Sequence, residues 1–336
     1  SYDASRTLAV AGVEQVVEIP AAEPPALYKA LGGLAVIASN SWAALKGRDL
    51  LSVEWDDGPN ADYDSAAYKT ALLEAVRRPG TVQRNEGDVD AALAAAERKI
   101  EAEYYAPHLA HAPMEPPAAV ASVTPEFCEV WAPVQDPQSL IPMAEAVTGL
   151  NPGQIRINVT LLGGAFGRKS KCDFAEEAVY LSKQLGTPVL VQWSREDDIR
   201  HDYFHSVSAQ RLEAGLDERG AVTAWKHRAC YPTIFSTFDA AAREPVTLEL
   251  GLGAQNLPYA IPNLQLETGP IDSKVRIGWL RSVCNIFQSF AINSFSDEVA
   301  HARGADPLDN LLHLLGPDRE IDVAALGLEP TENHPF

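Results

Sequence analysis

Three short stretches hold most of the residues that could do chemistry. Gly163-Gly164-Ala165-Phe166-Gly167-Arg168-Lys169 packs three glycines and two cations into seven residues, with a third cation at Lys171. Glycines let a backbone approach a ligand closely and aim N–H groups at an anion, and a helix N-terminus beside them adds its dipole. The loop reads either as a phosphate or pyrophosphate cradle or as a tight strand-to-helix turn with solvated basic residues. His108, His111 and Glu115 invite a metal, as do His201 and His205 four residues apart. Pro107, Pro113 and Pro116 forbid a helix that would hold the first set on one face, so those histidines read as hydrogen-bonded structural groups. The second set has no third strong ligand nearby in sequence and reads as a surface helix or turn. Arg281 follows Gly278 at the entrance to a predicted helix. There a guanidinium can hold a carbonyl or a developing negative charge, or simply pair with a carboxylate.

Other motifs fit poorly. A P-loop would match Gly163 and Lys169-Ser170, but Arg168 stands at its second glycine position, and no strand ending in Asp follows to hold magnesium. A nucleotide hydrolase is therefore the weakest reading. Gly163, Gly164 and Gly167 do not have the dinucleotide-fingerprint spacing. Cys128, Cys172, Cys230 and Cys284 are scattered with no C-x-x-C pair, which supports neither a zinc site nor a four-cysteine cluster. They read as buried small hydrophobes.

The elements that position these residues alternate along the chain. Residues 1–57 predict a short helix from Asp3 or Ser5 ended by Gly12, strands at 13–19 and 34–38, a helix capped by Asn40 or Ser41 and ended by Gly47, and a half-buried strand at 51–55. Residues 58–100 predict a linker with helices at 65–76 and 88–98. A strand at 127–132 and a helix from Pro137 to near Gly149 come next. A strand at 155–162 runs into the glycine loop, a helix through Phe174, Ala178, Leu181 and Leu185 stops at Gly186, and a strand spans 189–193, the order of a βαβ unit. A hairpin turns at 217–220, and 231–275, punctuated by Pro and Gly, predicts a segment that wraps the surface or a cleft. The last elements are a long helix from about Asn285 to Ala302 and a helix capped by Asp306, with Leu308, Leu311, Leu312 and Leu315 as its core face.

The 336 residues suffice for two ordinary domains or one large one, and 46% hydrophobic against 22% charged residues allows a sizeable core. With 27 Lys and Arg against 46 Asp and Glu, the net charge of −19 disfavours nucleic-acid and anionic-lipid binding. No apolar run approaches the roughly 20 residues of a membrane span. Nothing in the sequence decides the compartment.

The glycine loop, the Ala112-Pro113-Met114-Glu115-Pro116 segment and the Gly278–Asn285 segment occur together in the molybdenum hydroxylases of the xanthine oxidase family. The likeness is nearest to the large, molybdopterin-binding subunit of the isoquinoline 1-oxidoreductase type. Gly163 to Gly167 resembles the family's G-G-x-F-G loop, and the helix from Phe290 to Arg303 resembles its D-E-[LV]-A-H-A helix. The resemblance implies an α+β fold: part of a small hammerhead-like α/β domain at 1–57, a helical linker at 58–100, and the first molybdopterin-binding domain at 101–336. It implies that Gly163, Gly164, Ala165, Phe166, Gly167 and Arg168 lie against the cofactor, and that Arg281 orients substrate. The implied cofactor is molybdopterin cytosine dinucleotide with molybdenum, and 2Fe-2S clusters would sit on a small iron–sulfur partner subunit. Leu109 and Ser170 stand where xanthine-specific members carry a glutamine and a carboxylate, which favours an N-heteroaromatic ring or an aldehyde over a purine. The family's base glutamate belongs to a second cofactor domain, and Glu329 does not match its motif. The chain thus reads as an interior piece, inactive in isolation, of an enzyme that hydroxylates with water as oxygen source. The alternative is a non-catalytic cofactor-binding or scaffolding subunit.

Overall fold

The computed structural model describes residues 1–328 apart from Pro24 and Val323. Glu329 falls outside them. The chain forms two compact units. The first comprises residues 1–62 and 110–203, and the second 63–109 and 204–336. The fold is mixed α/β, as the sequence predicts.

In the first unit, strands Val13–Ile19 and Gly33–Ala38 pair antiparallel, and the helix Ser41–Asp49 packs on them. Asn40 starts that helix by accepting from the Ala43 amide at 2.9 Å. Gly47 does not end the helix. It lies inside it, packed so close to the strands that a Cβ there would meet Val13 Cγ2 at 2.8 Å and Val36 Cγ1 at 3.0 Å. The strand predicted at 51–55 shrinks to Ser52–Val53, paired with Tyr2–Asp3.

The unit's main sheet has four strands in the order Val189–Gln192, Ala118–Val123, Cys128–Ala132, Ile155–Val159. The helices Pro137–Thr148 and Asp173–Leu185 cover it, sealing Val130, Leu140, Ala144, Phe174, Ala178 and Val179 in one apolar cluster. Gly149 and Gly186 end the two helices in the left-handed conformation, as their positions in sequence suggest. The predicted βαβ order is present, with its two strands set apart in the sheet. Ile155–Val159 and Val189–Gln192 run in the same direction but occupy opposite edges, with two strands between them.

The second unit is built on a five-stranded sheet in the order Thr81–Glu86, Leu264–Thr268, Val222–Cys230, Ser208–Leu216, Arg98–Ala106. Trp225 is fully buried in its main core, edge-on to Tyr259 at 5.4 Å and against Phe295 at 5.0 Å. Three of these five strands do not stand out in the sequence, Arg98–Ala106 among them. Leu264–Thr268 lies within the stretch read as a surface or cleft wrap and pairs parallel to Val222–Cys230. Thr81–Glu86, largely polar, pairs with it from the edge. The helix predicted at 88–98 ends at Ala95, because Arg98 already belongs to a strand.

Helix Asn285–Arg303 ends at Gly304, and Asp306 and Pro307 open the next helix as predicted. The core face of that last helix is rotated from the leucine stripe. Leu308 and Leu312 are exposed, whereas Asn310 and Leu314 are buried. Asn310 is held by a bond to the Ser296 carbonyl at 2.9 Å, a polar contact invisible to hydrophobic periodicity.

Candidate functional site

The glycine loop leaves the sheet after Val159 and re-enters regular structure at Arg168–Ser170, a single 3-10 turn just before helix Asp173–Leu185. Its backbone is contorted. Gly164 and Gly167 have φ of +94° and +105°, and Phe166, a bulky residue, has φ of +56°. A left-handed aromatic residue costs conformational energy and persists only where its surroundings enforce it. Phe166 is 45% exposed although its neighbours Ala165 and Gly167 are buried.

The loop is fastened at both ends. Gly163 donates to Glu115 Oε2 at 3.0 Å and accepts from the Glu115 amide at 2.9 Å. Gly167 donates to Gln135 Oε1 at 3.0 Å, and the Gln135 amide donates to the Lys169 carbonyl at 2.9 Å. Between these anchors, the amides of Gly164, Ala165 and Phe166 donate to no protein group among the described residues. Three successive donors without acceptors, on a strained and partly exposed loop, suit an anionic or strongly polar ligand.

The basic residues do not form the open cradle that their types suggest. Arg168, Lys169 and Lys171 are all fully buried. Arg168 pairs two-pronged with Asp173 at 2.9 and 3.0 Å, and its Nε lies 3.1 Å from Asp202 in charge contact rather than in hydrogen-bond alignment. Its guanidinium also sits over the rings of Trp193 and Tyr203, at 5.2 and 5.4 Å from their centroids. Burial alone would ease its proton off, but Asp173 and Asp202 outweigh that and raise its pKa. Lys171 donates to the Gly167 carbonyl at 2.9 Å, and Lys169 to Glu115. These cations are thus satisfied from within, and they stiffen the loop from beneath.

The histidines also resolve as structural groups. His111 is buried, with Nδ1 2.9 Å from Asp202 Oδ2 and its amide donating to the same carboxylate at 2.6 Å. Desolvation pushes the Asp202 carboxyl up, but the His111 bonds and Arg168 hold it below its ordinary value. Glu115 behaves likewise: burial raises it, and the bonds from Lys169 and the Gly163 amide bring it lower.

His108 belongs to the second unit, where Nδ1 lies 2.9 Å from the His205 carbonyl and burial lowers its pKa. His205 corrects the surface reading of 201–205. It is buried in the strand Phe204–His205, paired with Ile277–Gly278. Among the described residues, no group of three or more His, Cys, Asp or Glu is arranged to hold a metal ion. All four cysteines are free and buried.

Arg281, in the second unit, is exposed, and among the described residues no carboxylate pairs with it. It stands beside two further left-handed residues, Ser282 at φ +74° and the β-branched Val283 at +49°, just before helix Asn285–Arg303. In the sequence Glu115 stands out as a candidate metal ligand and as part of a motif, and Gln135 and Arg195 do not stand out at all. Arg195 donates to the carbonyls of Pro113 and Met114 and pairs with Asp198.

The family described as molybdopterin cofactor-binding domain matches residues 74–310. A nicotinate dehydrogenase chain of Pseudomonas putida is 28% identical over 306 residues, covering 89% of this chain and 26% of its own. The beta chain of isoquinoline 1-oxidoreductase from Brevundimonas diminuta is 26% identical, covering 93% of this chain and 42% of its own. Among solved structures, quinoline 2-oxidoreductase from Pseudomonas putida 86 superposes with a TM-score of 0.68 at 20% identity, over 92% of this chain and 44% of that one. The chain therefore spans less than half the length of each of these relatives.

Proposed function

Because this chain belongs to the molybdopterin cofactor-binding domain family, matched over well more than half its length, we propose that it forms part of a molybdenum hydroxylase subunit. The resemblance to the xanthine oxidase family holds at that level. The finer reading, that of an isoquinoline 1-oxidoreductase-type large subunit acting on an N-heteroaromatic ring or an aldehyde, is our inference. Its support is the names of the relatives and the residues at 109 and 170. The observation that carries the proposal is the row of amides at 164–166 with no protein acceptor, held beside the left-handed Phe166.

In this reading the loop Gly163, Gly164, Ala165, Phe166 and Gly167 lies against a molybdopterin cytosine dinucleotide, with the amides of Gly164, Ala165 and Phe166 as donors, the Phe166 ring beside it, and Gly163 and Gly167 as the anchored ends. When bound, the cofactor supplies a Lewis-acidic, two-electron redox centre. Glycine is needed at both positions for the loop to take this shape: Gly163 allows Glu115 to press against the loop, and Gly164 takes a left-handed φ that strains other residues. Arg168 serves this site from below, by fixing the loop, rather than by reaching the cofactor. Arg281, exposed and without a carboxylate partner among the described residues, orients the substrate's carbonyl or ring nitrogen. Residues 1–57 are read as part of a hammerhead-like domain and 101–336 as the first cofactor domain. Electrons would leave through 2Fe-2S clusters on a small partner subunit.

The test is acid release of bound nucleotide from the natural polypeptide that carries this segment, followed by turnover on a panel of N-heteroaromatics and aldehydes. Release of a cytosine nucleotide with turnover of either class supports the reading. A folded protein that releases none and oxidises neither contradicts it.

A further inference from the structure

We propose that Glu115 is a positioning residue for the glycine loop, gripping it at Gly163 and at Lys169 and so fixing the three amides between them. The proposal rests on the cofactor-binding reading of that loop. Glu115 touches the loop at three points: its amide meets the Gly163 carbonyl, and its Oε2 accepts from both the Gly163 amide and Lys169 Nζ. The approach is so close that a Cβ on Gly163 would fall 2.5 Å from Glu115 Cβ. Glycine is required opposite this carboxylate.

The Lys169 side chain is fully buried, and Glu115 is its carboxylate partner. Removing that partner would strand a charge away from water. The segment carrying the carboxylate is itself braced, because Arg195 binds the carbonyls of Pro113 and Met114 while paired with Asp198. One side chain therefore ties the first loop glycine to the cation six residues on. Donors held in this way need no reorganisation when a ligand arrives.

The test uses the natural polypeptide that contains this segment, purified as holoenzyme, with Glu115→Gln, Glu115→Ala and Lys169→Met. Gln keeps an acceptor for the Gly163 amide but no charge for Lys169, whereas Ala removes both. Amide hydrogen exchange at 163–167 should quicken by about tenfold in Glu115→Ala, the change given by ~1.4 kcal/mol of local stability. Glu115→Gln should fall between Ala and wild type, exchange in the strand Cys128–Ala132 should hold, and pterin content should drop in the same order. Unchanged exchange at 163–167 in folded Glu115→Ala overturns the proposal. If Glu115→Ala does not fold, unchanged exchange in both Glu115→Gln and Lys169→Met overturns it equally. Faster loop exchange in these variants, measured in a natural protein that carries no pterin, would uphold the positioning role and refute the cofactor reading instead.

Discussion

Arg168 and Asp173 form a two-pronged ion pair inside the protein, with guanidinium nitrogens 2.9 and 3.0 Å from the two carboxylate oxygens and both side chains sealed from solvent. A sequence rich in loop cations suggests a ligand-facing charge. The structure uses this one to fasten the turn between the glycine loop and the helix that follows.

That pairing predicts a large cost for breaking it from one side. Asp173→Asn should destabilise the protein by about 3–5 kcal/mol, because Arg168 loses its bidentate partner while remaining buried. The double variant Arg168→Met with Asp173→Leu should cost less than the two single changes added together. Urea unfolding of these variants measures both quantities, and strict additivity would contradict the coupling.

Arg281 predicts the opposite pattern. It is exposed with no carboxylate partner among the described residues, so Arg281→Ala should shift stability by no more than about 0.5 kcal/mol. In the complete enzyme the same change should lower turnover by orders of magnitude while molybdenum content stays normal. Steady-state kinetics with metal analysis decides the matter, and unchanged turnover refutes the role assigned to Arg281.

The loop backbone separates strain from function. Gly167→Ala forces a side chain into φ of +105° and should cost about 1–3 kcal/mol. Phe166→Gly relieves a residue already at φ of +56° and should leave the thermal midpoint nearly unchanged, yet reduce cofactor retention. Calorimetry paired with pterin content tests this contrast. A strong loss of stability in Phe166→Gly would mean that the ring serves packing rather than the ligand.

His227 gives a pH signature. It is wholly buried, with Nε2 2.6 Å from Gln210 Oε1, and desolvation drops its pKa to about 3. The unfolded chain therefore binds this proton more readily than the folded one. The stabilisation is complete above the unfolded value near 6.5 and is lost as pH falls toward 3, at up to about 1.4 kcal/mol per pH unit. His108 is shifted in the same direction by burial. Denaturant titrations between pH 7 and 4 should show this slope, and His227→Gln should flatten it.

Local signals in the sequence were enough where structure is locally decided. Gly149, Gly186 and Gly304 end their helices, Asn40 and Asp306 cap theirs, and the glycine loop falls between a strand and a helix. What sequence could not supply depends on distant partners. Leu264–Thr268 is a strand because Val222–Cys230 and Thr81–Glu86 flank it, and its own Pro- and Gly-rich neighbourhood reads as a loop. The environment of Arg168 and Lys169 is set by Asp202 and by Glu115, which is 54 residues from its lysine. Charge along the chain therefore counted these cations correctly but could not tell which way they face.

The most direct test of the central claim is the molybdenum content, per mole of polypeptide, of the natural protein that carries this segment. Membership of a working molybdenum hydroxylase predicts close to one molybdenum per chain, falling in Phe166→Gly without a matching loss of stability. A folded protein with no molybdenum would contradict it.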